Sequence, residues 1–140
     1  MDELEIFTGI FYTHKVDHRN NSPEKSQWII TEAEERECFK CFFESCFDAQ
    51  ERISWGLYFK DDKIDYLGKT AQNEPNFSLL FIAKFIDSTK NQKWHGYPAN
   101  PGGKKQQDIP HDFILKEWGN KNYLPFAKIR KIERGQKCKL

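Results

Sequence analysis

The chain has 140 residues, 38% hydrophobic and 31% charged, with 12 Phe, 5 Tyr and 4 Trp. A chain of this length fits one domain, residues 1–140, burying roughly 70% of its unfolded surface, and rings worth about 150–250 Å² each supply that burial and argue against disorder. No apolar run approaches the ~20 residues of a membrane span, and the start Met1-Asp2-Glu3-Leu4-Glu5 is acidic where an export signal is basic, so the expectation is a cytoplasmic protein with no membrane partner and reduced cysteines.

The net charge of +1 conceals a division. Residues 1–59 carry 6 Lys/Arg against 12 Asp/Glu, and residues 60–140 carry 16 against 9. The cationic excess peaks where Lys121, Lys128, Arg130, Lys131, Arg134, Lys137 and Lys139 face only Glu133. Such a split suits either an acidic partner for the C-terminal half or pairing between the halves.

In chain order, Leu4 to Tyr12 reads as a strand bulged at Gly9, 17–23 as a loop and Gln27 to Ile30 as a short strand. Thr31-Glu32-Ala33-Glu34 has the spacing of a capping box, and Phe39, Phe42, Phe43, Cys46 and Phe47 recur on one face, which predicts an amphipathic helix running to about Gln50. Ile53 to Phe59 and Ile64 to Leu67 form a hairpin about Lys60-Asp61-Asp62-Lys63. The run 77–86 is apolar on nearly every side, so periodicity leaves a buried helix and a central strand both open; the potential cap Asn76 and paired leucines favour the helix. Trp94 to Gly103 reads as a ring-anchored turn region. Pro110 near a first helical position and Gly119-Asn120 at a stop bound one helix with Phe113, Ile114, Leu115 and Trp118 inward. Pro125 opens another that carries Phe126, Ile129 and Ile132 inward and stops at Gly135. The predicted class is α+β: a small, mostly antiparallel sheet packed against the amphipathic helix, with a pair of short helices in a subregion of about 108–140.

Three readings of function follow. The first is a non-enzymatic protein-binding protein using Glu35, Glu44, Asp48 and Glu51 as the outward acidic face of the helix, since segregated charge steers a charged partner. In size, charge division and lack of a catalytic motif the chain is similar in style to the small immunity and inhibitor proteins of bacterial conflict systems, which implies a toxin or nuclease as partner. The second is nucleic-acid binding through Lys128, Arg130, Lys131 and Arg134; exposed rings beside them would mark single strands, but periodicity turns the rings inward. The third is a metal-independent ribonuclease centred on His95, with Tyr97 and His111 able to move protons or hold a phosphate. For a metal, His14-x-x-x-His18 and Cys38-x-x-Cys41 form one possible zinc set, with Cys46 nearby and Cys138 at the tail, and a helical Cys pair on a Phe-rich face reads more simply as core. No cofactor motif is present.

Overall fold

The computed structural model describes residues 3–103 and 105–140. Strands β1 (Glu3–Phe7) and β2 (Ile10–Thr13) form a hairpin. Gly9 belongs to its turn, with φ +76°, and the irregular register lies instead between Glu5 and Phe7. After β3 (Gln27–Trp28) comes helix α1 (Glu32–Phe42), whose capping box is formed: Thr31 Oγ1 accepts from the Glu34 amide at 3.1 Å and a Glu34 carboxylate oxygen accepts from the Thr31 amide at 2.9 Å. That bond and one from the Tyr58 hydroxyl hold the Glu34 carboxyl below its ordinary range.

The helix stops at Phe42, short of Gln50. Its end is a packing and turn effect. Phe43 and Phe47 stack at 5.2 Å with Trp94 edge-on to both, and Asp48 accepts the amides of Gln50 and Glu51, turning β4 (Phe47–Asp48) back on β5 (Ile53–Lys60). β5 continues through Asp61 and Asp62, both at positive φ as a tight hairpin turn requires, into β6 (Lys63–Asp65). Then follow β7 (Gly68–Lys69), β8 (Leu79–Leu80), β9 (Ile82–Ile86) and β10 (Lys93–Ala99).

Two expectations are corrected here. Residues 77–86 form no helix: β9 lies hydrogen-bonded between β10 and β5, and the run is apolar on both sides because both faces of that central strand are covered. Residues 94–99 are likewise no turn. Gly96 lets β10 pass Phe85, whose ring a Cβ would meet at 2.4 Å, and Pro98 lies beyond the β2 pairing of β10, where only one neighbouring strand is present.

The main sheet runs β1-β2-β10-β9-β5-β4, with β6 on β5; β2 and β10 are parallel and the other pairs antiparallel, and β3-β7-β8 form a second small sheet. Side-chain alternation divides the core in two. Tyr12, Ala83, Phe85 and Trp94 meet Phe39 of α1 and Phe43 at its C-cap, while Trp55, Leu57, Ile82 and Ala99 meet helices α2 (Asp112–Asn120) and α3 (Phe126–Glu133) through Ile114, Leu115, Trp118, Ile129 and Ile132. The architecture is α+β as predicted, with helices on both faces. Across the strand turns, Arg52 Nη2 donates to Asp87 at 2.7 Å, and Asp87 also accepts the amides of Gln92 and Lys93; these bonds outweigh desolvation and hold its carboxyl low.

The helix pair departs from the periodicity in two side chains. α2 begins after His111, later than Pro110 suggests, and Phe113 (50% exposed) and Phe126 (54%) face outward. Gly135 ends α3 at φ +67°.

Glu35 is the largest revision. It does not face outward: it is wholly buried. Arg19 donates to its Oε1 through Nε and Nη2 at 3.2 and 2.7 Å, and a third Arg19 nitrogen donates to the Ile30 carbonyl. The Tyr12 hydroxyl donates to Oε2, and His14 Nδ1 lies 3.1 Å from Oε1, out of line for a hydrogen bond. Burial and the Glu35 charge push the Tyr12 phenol well above its ordinary range, so it stays the donor. Glu35→Ala takes the carboxylate from a half-buried Arg19 and the acceptor from the buried Tyr12 hydroxyl, and is expected to cost about 3 kcal/mol in denaturant unfolding. An outward Glu35 would change stability by less than about 0.5 kcal/mol. Thr31→Ala, which removes only the cap, is expected to cost about 1 kcal/mol in the same measurement.

Candidate functional site

Helix α3 carries the densest cationic surface. Lys128 is committed structurally: its ammonium donates to the Lys139 carbonyl at 2.5 Å, and the tail beyond it reaches the Tyr66 hydroxyl through the Leu140 amide. Arg130, Lys131 and Arg134 are exposed and make no ion pair among the described residues. Phe126, Arg130 and Arg134 recur every four residues, which places them along one stripe of the helix. Gly119 makes the ring's position possible, because a Cβ there would come within 2.7 Å of Phe126. The ring thus rests one side on α2 and offers the other to solvent. A ring with two guanidiniums below it can stack a planar base and hold the phosphates that follow. Phe126 was missed because a ring at helical spacing reads as core; its four-residue offset from Arg130 and Arg134 was the available signal.

β10 presents His95 and Tyr97 on the sheet face opposite α1. Tyr97 donates to Asp108 Oδ1 at 2.7 Å, and Asp108, buried, also accepts the Asn100 amide at 2.9 Å. This closes the loop from 100 to 108 back onto the strand. Burial, reinforced by the Asp108 charge, raises the Tyr97 phenol far out of the range of a proton acceptor. His18 stacks on Tyr97 at 5.3 Å, and its Nδ1 lies 2.8 Å from the Ser26 carbonyl, an arrangement that puts the proton on Nδ1 and leaves Nε2 basic. His18, Tyr97 and Asp108 line an open cleft of about 230 Å³ with Thr70, Asn100 and Lys105; His95 is not in its lining. The His95 ring, half-buried, has no hydrogen bond among the described residues. Desolvation lowers both histidines, helped at His95 by Lys15 and His18. His111 is not brought to this place: it meets Asp48 and Glu51 at 3.3 and 3.5 Å and lies edge-on to Trp55. The grouping at β10 is therefore His18, His95 and Tyr97 in place of His95, Tyr97 and His111.

The acidic face loses its continuity. Glu35 is interior, Asp48 and Glu51 adjoin His111, and Glu44 remains exposed apart from them. The paired His and Cys spacings do not converge either. His14 sits between Glu35 and Arg36, His18 on Tyr97, Cys38 is buried with its thiol raised far up by desolvation, and Cys41 is exposed on α1.

Because His18 and His95 are held neutral by burial, the unfolded chain binds protons more readily than the folded one as pH falls past about 6.5. Their contribution to stability is complete above that pH and is lost below it, toward their lowered native pKa values. The melting temperature is expected to drop on acidification through this window, and more shallowly in His18→Gln and His95→Gln; an unchanged slope in both variants would contradict the assignment.

Compared with known proteins, the chain matches no family model, no curated protein and no solved structure.

Proposed function

We propose that this protein binds nucleic acid, single-stranded segments in particular, through the outer face of α3. The observation that carries the reading is the stripe of half-exposed Phe126 followed by Arg130 and Arg134, with Lys131 beside it and no carboxylate paired to any of the three cations among the described residues. Unpaired cations keep their counterions and release them to phosphates, and the ring supplies the sequence-tolerant stacking surface that a purely electrostatic patch lacks. The reading of an acidic, protein-facing helix draws less support, because its central carboxylate is consumed inside the fold and two others share a histidine.

With labelled oligo-dT and oligo-U followed by fluorescence anisotropy, affinity is expected to fall as salt rises, with a log–log slope of about −2 if three cations each neutralise one phosphate. Replacing Arg130, Lys131 and Arg134 together by Gln should abolish most of the binding and flatten the slope. Phe126→Ala should weaken binding by about 1–3 kcal/mol while leaving the slope alone. Absence of binding at low salt, or equal binding by the triple variant, would defeat the proposal.

A further inference from the structure

Asp48, Glu51 and His111 come together from two distant parts of the chain: the last residue of β4 with the turn after it, and the residue preceding α2. Their ligand-type atoms all lie within 4.8 Å of one another. The imidazole is held in place by the edge-on ring of Trp55 at 6.3 Å and the stacked ring of Phe113 at 6.1 Å. That packing turns Nε2 toward the two carboxylates. Nε2 is buried and yet makes no hydrogen bond, since its 3.3 and 3.5 Å contacts with Asp48 Oδ2 and Glu51 Oε2 are out of line for one. Asp48 Oδ1 is already taken by the amides of Gln50 and Glu51, which leaves Oδ2 as the oxygen facing the histidine.

The two distances are long for a charge-assisted hydrogen bond, which settles at about 2.7–2.9 Å. They match the separation of neighbouring donors around one ion. With metal–ligand bonds of about 2.0–2.1 Å, adjacent corners of a tetrahedron lie about 3.3–3.4 Å apart. We infer that Asp48, Glu51 and His111 form a binding site for one divalent transition-metal ion of zinc type, independent of the nucleic-acid surface on α3. One imidazole and two carboxylates make a borderline-to-hard donor set suited to zinc or manganese. Glu51 is exposed, so the fourth position faces solvent and is open to water or an anionic ligand. A bound ion satisfies at once the stranded Nε2 and the two facing carboxylates.

The experiment uses the full chain stripped with EDTA and titrated with ZnCl2 by calorimetry, and with CoCl2 by visible absorption, which reports the coordination sphere. Uptake of one equivalent is expected, weakened about tenfold or more in both His111→Ala and Glu51→Gln. Glu51→Gln alters an exposed side chain, so it decides the question if His111→Ala fails to fold. Lack of stoichiometric uptake by the unaltered protein would overturn the inference. So would uptake that Glu51→Gln leaves intact, which places the ion elsewhere, or uptake that a folded His111→Ala retains.

Discussion

A carboxylate withdrawn entirely from water is tolerable only when charge and hydrogen bonds replace its hydration, and Glu35 imposes that demand at the centre of this molecule. Its partners come from β2 and from the turn that follows it, while Glu35 itself belongs to α1. The pairing therefore fixes helix against hairpin and draws Arg19 over the Ile30 carbonyl at the entrance to the helix. Beneath it, Phe39, Phe43, Phe85 and Trp94 pack in edge and tilted contacts of 5.0–5.6 Å. Apolar packing supplies the burial, and the ion pair selects the one seating of α1 in which the carboxylate is paired.

With one face of the sheet closed by α1, the remaining apolar positions of β5 and β9 can be covered only from the other side, by α2 and α3. Ile129 and Ile132 do that covering. With Ile129 and Ile132 turned to the sheet, Phe126, Arg130, Lys131 and Arg134 are left facing solvent. The surface proposed to hold nucleic acid is thus the complement of the surface that completes the core. Glu133, on the same helix, makes no ion pair with these cations among the described residues, and Glu35, Asp48 and Glu51 are engaged elsewhere, in the core and around His111.

Local chemistry was legible wherever a few neighbouring residues decide the outcome. Thr31 with Glu34, Asp61-Asp62, Pro125 and Gly135 each act within one turn, and each reads correctly from the chain alone. Tertiary context decided the rest. Residues 77–86 read as a helix because a strand covered on both faces loses its two-residue alternation, and Lys84, whose ammonium reaches the Gln107 carbonyl at 2.5 Å, breaks what pattern remains. Glu35 looked solvent-facing because nothing nearby in sequence announces Arg19 as its partner. His95 and Tyr97 stand out in the sequence, but His18, which stacks on Tyr97, lies 77 residues before His95, and His111, closer in sequence, points to another cluster. The cations of α3 were visible from composition; the open face of Phe126 depends on the absence of a side chain at Gly119.

Buried charge orients one helix of this protein, while cations on another, unpaired among the described residues, remain available. The direct measurement is an NMR titration of ¹⁵N-labelled protein with unlabelled oligo-U, read residue by residue. Shifts concentrated at Phe126, Arg130, Lys131 and Arg134, reversed by added salt, are the predicted result. A spectrum that does not change, or shifts confined to α1 and β1–β2, would contradict it.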